Sequence, residues 1–585
     1  MEAWKLEHVI EALMLFTSML FVSGVNSQTL VTITNGKLEG IKESVQGKTL
    51  NRFMGIPFAK PPLGALRFMK PQPAGNWTGV KNATKHGPSC MQTWVPDFYQ
   101  SEDCLTLNVL VPGVFNASLS KAVMVWIYGG GYNMGGSVYY IFDDLAVEDD
   151  VIVVTVNYRV GPFGFLSTGD VNAPGNAGLW DQIEGLKWVR DNIASFGGDP
   201  NRITIFGESA GASSVSQLAM TTATKGLFHR VISQSGAALS PWAWVHDAID
   251  VAMTIGNLLG CNATTTDTAK LVRCLQNQDS VALINASSQI TAGRTYFGFS
   301  PVVDGDFFPR SVTELLKDTD SDVLRHFRSV DYLIGFTDSD GGVFLFKLPF
   351  NYTSGIPGDK LRDTLIPQLA LQISALHKDE IEAKMKDIYY DPSADKEATA
   401  RHYVDLLTDL EFAGPTLTLL TSHLTSTNKS SYLYLFTKIP SWQSALSWFR
   451  GSNHAADIGF IIGPNVSHTT WNVTFNEGER RFSRSMQTYW SNFAKTGNPN
   501  LPKAVPTEWK QYTDSQKHYL ELGDDITSKM DVIPKRMKLW LESIPQILSR
   551  DKNVIPSPTN ISKGNNCWMS SLVLFLAGCF YFSII

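Results

Sequence analysis

Ile203-Thr204-Ile205-Phe206-Gly207-Glu208-Ser209-Ala210-Gly211-Ala212-Ser213-Ser214-Val215 passes from an apolar run through a glycine-flanked serine to a run of small residues. The apolar run 203–206 reads as a buried strand, and the small residues 212–215 read as the start of a helix. Between them, Gly207-Glu208-Ser209-Ala210-Gly211 fits the G-x-S-x-G turn that holds a serine in a strained conformation at the end of a strand. Glycines two residues to either side let strand and helix approach closely, and the helix N-terminus favours developing negative charge. The bare pattern occurs by chance. Placed between a strand and a helix, it marks Ser209 as a nucleophile.

On either side of it, the apolar runs 122–127, 151–156 and 231–234 repeat the strand pattern. Residues 178–196 carry Leu186, Trp188, Val189 and Ile193 on one helical face. Strand, helix, strand repeated in this way predicts the α/β class, a mostly parallel sheet with helices on both faces. Near the start, alternating residues 30–34 followed by Asn35-Gly36 predict a hairpin and an antiparallel edge. From about 243 to 283 and from 359 to 421 the pattern turns helical and the loops lengthen, which predicts helical excursions above the sheet. A prior of roughly 150 residues per domain would suggest about four domains, but a single α/β enzyme often exceeds it.

With 43% hydrophobic and 18% charged residues, 15 Trp and 32 Phe, the chain can bury a large core, which excludes disorder. A net charge of -6 without a long Lys/Arg run gives no reason to expect nucleic acid or an anionic membrane surface as partner. The apolar segment 12–22 followed by Val25-Asn26-Ser27 predicts a signal peptide over 1–27. At the other end a polar stalk, 551–566, precedes a hydrophobic tail, 567–585, that runs to the last residue with no basic flank. Ser562, Gly564, Asn565 and Asn566 upstream make the tail a GPI-attachment signal, a plain membrane anchor being the alternative. The expected location is extracellular, either secreted or held at the outer cell surface. Cys90/Cys104 and Cys261/Cys274 form two closely spaced pairs that fit small disulfide loops in an oxidising compartment. Sequons at Asn76, Asn82, Asn116, Asn262, Asn285, Asn351, Asn428, Asn465, Asn472 and Asn560 predict a glycosylated surface.

Acyl transfer at Ser209 needs backbone N–H donors converging on the carbonyl oxygen, with no side chain in the way. Gly129-Gly130-Gly131 after the strand 122–127 supplies such a loop, and Gly130 and Gly131 with the N–H of Ala210 are the expected donors. In this order of elements the acid follows the serine and the base comes last. Asp340 lies at a strand-to-loop transition, with Asp338 as its nearest competitor; Gly341 after Asp340 would let the loop turn under the histidine. The base comes from His377, His402, His423, His454, His468 and His518. His377 and His402 sit in polar helical settings and His468 in a sequon-rich loop, whereas His454 opens a loop feeding a small-residue helix. No Cys/His cluster has metal-ligand spacing, so neither a metal nor an organic cofactor is implied.

The chain resembles the type-B carboxylesterases, the family of cholinesterases and bile-salt-activated lipase, over nearly all of its expected mature length. The resemblance is carried by residues 51–62, by Ser101-Glu102-Asp103-Cys104-Leu105, Asn157-Tyr158-Arg159-Val160-Gly161 and Phe196-Gly197-Gly198-Asp199-Pro200, and by the elbow. It implies an α/β-hydrolase domain over 28–550, a Ser209, Asp340, His454 triad, an oxyanion hole of Gly130, Gly131 and Ala210, and Cys90–Cys104 and Cys261–Cys274 bridges. Trp94 resembles the choline-binding tryptophan of the cholinesterases, and Phe297 and Phe299 resemble their acyl-pocket aromatics; ordinary core packing is the other reading of Trp94. The sequence departs from the cholinesterases in having Asp as the acid, a shorter first disulfide loop, Val343 in place of a second choline-site aromatic and no third bridge. The expected partner is a small carboxylic ester, of choline or of a neutral alcohol, with a lipid anchor and a homodimer as further options. The rival reading is a catalytically silent cell-surface adhesion protein of the same fold.

Overall fold

The computed structural model describes residues 27–550 apart from 94–98, 115, 117, 292–297, 426–427, 444–445 and 465–473. The signal segment, the stalk and tail, Trp94, Phe297, His468 and the sequons at Asn465, Asn472 and Asn560 lie outside the described residues. Among those described, no helix is long and apolar enough to cross a membrane.

Alternating residues at the N-terminus form an antiparallel meander of β1 (Ser27–Ile33), β2 (Gly36–Val45) and β3 (Lys48–Pro57). The expected hairpin is present, but its register pairs Ile33 with Gly36, so the loop is 34–35 and Gly36 already belongs to the return strand. The glycine is needed there for space: a Cβ would meet the Trp77 indole at 2.5 Å. Short strands β4 (Val80–Asn82), β5 (Ser89–Cys90) and β6 (Gln100–Ser101) follow, the last two forming a small sheet of their own.

The remaining strands are β7 (Thr106–Pro112), β8 (Lys121–Ile127), β9 (Ile152–Val156), β10 (Gly198–Glu208), β11 (Arg230–Gln234), β12 (Asp331–Thr337), β13 (Ser431–Phe436), β14 (His518–Leu522) and β15 (Ile526–Met530). The large sheet runs β1-β2-β3-β7-β9-β8-β10-β11-β12-β13-β14-β15. Every neighbouring pair from β9 to β14 is parallel, and the two ends of the sheet are antiparallel. The central strands are largely buried on both sides beneath the covering helices, the reason that apolar runs rather than alternation mark them, with a few polar residues such as Ser233 and Gln234 buried among them. One row of the ladder joins Ile127, Gly207, Ser233, Ile334 and Leu433, so the carboxyl ends of five strands open on one edge.

The helix expected over 178–196 is α1 (Ala177–Asn192), whose last turn tightens to a 3-10 segment, Ile193–Phe196, before Gly197 at φ +83°. Helix α2 (Ala210–Ala219) is buried along its whole length, which is why it is built from small residues. Helix α3 (Ile458–Ile462) is short, and α4 (Glu477–Thr496) starts at a capping box in which Asn476 and Glu479 bond each other's backbone N–H. Helices Ala248–Leu258 and Thr268–Gln276, and the long run from Gly358 to Leu424, are the expected excursions. Both expected disulfides form, Cys90–Cys104 and Cys261–Cys274. Asn76, Asn82, Asn116, Asn262, Asn285, Asn351 and Asn428 all stand exposed.

Candidate active site

At the end of β10 the backbone turns through Ser209 at φ 58° and ψ -124°, a strained conformation for a residue with a Cβ, and enters α2 at Ala210. Contacts around the two glycines explain the motif. A Cβ at Gly207 would meet Gly211 C at 2.6 Å and Ile127 O at 2.5 Å, and one at Gly211 would meet Ile127 O at 2.0 Å. The elbow is therefore pressed against the end of β8 as well as against itself. Ser209 is half-buried, so its hydroxyl stays accessible.

The chain leaving β8 forms the glycine loop. A Cβ at Gly129 would stand 2.9 Å from Ser209 Cβ and 2.6 Å from the Glu208 carbonyl oxygen, which puts the loop directly beside the serine. Gly130 and Gly131 take φ values of +113° and +59°, and their N–H groups have no hydrogen-bond partner among the described residues. Ala210 begins α2, where an N–H has no intrahelical acceptor. Asn133 ties the loop down, its Nδ2 donating to Gly131 O at 2.6 Å and Phe299 O at 2.8 Å. Phe299 is buried at this junction.

Asp340 follows β12 and opens the 3-10 segment Asp340–Lys347. Its side chain is fully buried; Oδ2 accepts the Thr337 N–H at 2.8 Å, and Oδ1 accepts His454 Nδ1 at 2.7 Å. Gly341 serves close packing rather than a turn under the histidine: a Cβ there would meet the Thr408 backbone nitrogen at 2.4 Å. The competitor Asp338 does not reach the imidazole. Its Oδ1 accepts the Ser452 N–H at 2.7 Å, and burial pushes its carboxyl up to about 7 against the hydrogen bonds of Ser452 and Ser339. Asp338 thus holds the loop that presents His454.

That loop is further fixed by Gln443, which donates to Gly451 O and accepts the Asn453 N–H, each at 2.9 Å. The Phe412 ring packs on the imidazole at 5.0 Å between centroids. The other described histidines have different settings: His377 precedes the helix Lys378–Tyr389, His402 lies within Lys396–Thr408, and His518 opens β14. His423 is locked in the core between Ser431 Oγ at 2.9 Å and Val330 O at 3.0 Å.

Glu208, the residue before the serine, was not singled out by sequence reasoning. Its Oε1 lies 3.1 Å from His454 Nε2, without hydrogen-bond alignment, since that oxygen has no hydrogen-bond partner among the described residues. Ser209 Oγ makes no hydrogen bond to the ring, so Nε2 faces the carboxyl next to the serine; such bonds commonly tighten only once substrate binds. Burial raises the Glu208 carboxyl well above the usual carboxylate range, with His454 pulling it down and Asp457 and Asp340 pushing it up. Burial pushes the His454 imidazole down, but Glu208, Asp340 and Asp457 outweigh it and hold the ring above its ordinary value. The signal in the sequence was an acidic residue between an apolar strand and a small-residue helix, where charge is rarely buried without a task.

A family model described as "Carboxylesterase family" matches residues 27–540. The chain is 38% identical to the bile salt-activated lipase of Rattus norvegicus over 552 residues, covering 88% of this chain and 86% of the relative. It is 36% identical to that of Mus musculus over 567 residues, 90% of each chain. Against the bile salt-activated lipase of Bos taurus it is 35% identical over 562 residues, again 90% of each.

Proposed function

The chain belongs to the carboxylesterase family, and from that premise we propose that it is a carboxylic ester hydrolase working through an acyl-enzyme on Ser209, with His454 as base and Asp340 as its orienting acid. The observation that carries the reading is the 2.7 Å bond from His454 Nδ1 to the buried Asp340, which fixes the tautomer and leaves Nε2 turned toward the elbow. Ser209 Oγ attacks the ester carbonyl as Nε2 takes its proton, and the N–H groups of Gly130, Gly131 and Ala210 receive the oxyanion. The imidazolium returns the proton to the leaving alcohol. Water, deprotonated by the same nitrogen, then releases the acid and restores the serine. Asp340 holds the ring in place and stabilises the imidazolium.

The relatives' names contain "lipase" rather than any choline ester, which favours neutral acyl esters as substrates. Two disulfides support an extracellular location, and attachment through the hydrophobic tail belongs to the same reading. Purified protein is expected to hydrolyse a neutral butyrate ester faster than acetylthiocholine, and Ser209→Ala is expected to abolish both activities. A folded wild type that takes up no organophosphate, and a Ser209→Ala variant as active as wild type, would each overturn the triad, the first in favour of an adhesion role.

A further inference from the structure

We propose that Gln234 is the positioning residue that registers the nucleophile against its base, a role that rests on the Ser209–His454 reading above. Gln234 ends β11, beside Glu208 in the ladder. Its main chain holds the elbow: the carbonyl accepts the Ser209 N–H at 2.8 Å. Two residues on, Gly236 runs so close beneath the turn that a Cβ there would meet Ser209 O at 2.3 Å. Its side chain reaches the other half of the site, with Nε2 donating to Asp457 Oδ2 at 2.9 Å. Asp457 stands three residues after His454, immediately before α3, and its carboxylate makes no capping bond to that helix.

The same Asp457 oxygen accepts Tyr434 OH at 2.8 Å, while Oδ1 has no hydrogen-bond partner among the described residues. Gln234 therefore supplies one of the two side-chain hydrogen bonds that orient this carboxylate. Its own Oε1 accepts Trp490 Nε1 from α4 at 3.0 Å, so the amide cannot flip without breaking two bonds. Gln234, Asp457, Tyr434 and Trp490 are all buried. A leucine would fill the same space, but only a bonded amide passes orientation from one element to another, since buried polar networks specify geometry where apolar packing tolerates sliding. One residue thus sets the serine through its backbone and the histidine segment through its side chain.

The test is steady-state hydrolysis of a soluble neutral ester, with kcat expressed per organophosphate-titrated site and the melting temperature measured alongside. Gln234→Leu is expected to lower kcat about ten- to a hundred-fold with KM within about two-fold, the pattern of misplaced reacting groups rather than lost binding. Gln234→Glu sets two carboxyls against each other and is expected to lower kcat as well. Combining it with Asp457→Asn restores this bond with donor and acceptor exchanged, while turning the Tyr434 hydroxyl from donor to acceptor at the same atom, and is expected to recover part of kcat. A titrated Gln234→Leu with wild-type kcat overturns the proposal. Should that variant not fold, equal kcat in Gln234→Glu and in the exchanged pair overturns it. A wild type that neither hydrolyses ester nor takes up label overturns the ester-hydrolase reading instead, so the two failures are told apart.

Discussion

At the scale of single residues, the pair of Glu208 and His454 decides how the site responds to pH. The groups lie 3.1 Å apart, and each raises or lowers the other's proton affinity, so they titrate as a pair. In the proposed mechanism His454 accepts a proton only when neutral, and the surrounding carboxyl groups hold its proton to higher pH than usual; kcat/KM is therefore expected to rise as pH climbs through that region. Glu208→Gln removes the largest of the influences that raise the imidazole. Its acid limb is expected to move to lower pH by about one unit or more, the scale set by an opposite charge within ~4–6 Å; superimposable pH profiles would refute the coupling. The tight turn at Ser209 and the meeting of Asp340 with His454 were legible because the order of these residues and their flanking turns are written in the chain. Glu208 and Gln234 were not, because their roles depend on where a side chain points inside the core, which no local spacing encodes.

Among elements, the elbow illustrates how backbone contact sets composition. Gly211 admits no Cβ because the Ile127 carbonyl would lie 2.0 Å away, and neither backbone can give way without moving the end of β8. Gly211→Ala is expected to cost about 1–3 kcal/mol of stability, the usual penalty of overpacking, and to remove activity by displacing the glycine loop; chemical denaturation and an ester assay check both. The loop carrying His454 has its own pH dependence through Asp338. This carboxyl ordinarily titrates near 3.8 and in the fold near 7, so its contribution is fully present below the lower value and is lost as pH rises to the higher. Asp338→Asn keeps the acceptor for Ser452 and is expected to flatten the fall in stability across that window, by up to about 1.4 kcal/mol per pH unit. Parallel curves for the two proteins would rule this out. The central strands were readable as apolar runs. The first hairpin turns one residue earlier than Asn35-Gly36, and Gly36, at φ +150°, opens the return strand against the Trp77 indole.

Over the whole molecule, several stretches that resemble the family turn out to be scaffold. Arg159 grips Asp181 of α1 through two bonds of 2.7 Å with both side chains buried, and Arg67 pairs with Glu102 next to the first disulfide. Arg159→Met leaves Asp181 as an uncompensated buried charge and is expected to destabilise by about 3–5 kcal/mol. Replacing both Cys90 and Cys104 by serine opens a small loop and is expected to cost about 3 kcal/mol, read by urea denaturation under oxidising conditions. Ser209 follows β10, Asp340 follows β12 and His454 lies beyond β13, so the proposed site is completed late in synthesis. Roughly 250 residues separate the serine from the imidazole, so a ribosome adding about 5–20 residues per second needs roughly 10 to 50 seconds to make the second after the first. On the proposed mechanism, a nascent or prematurely ended chain that stops before residue 454 carries an elbow with no base and is expected to hydrolyse no ester.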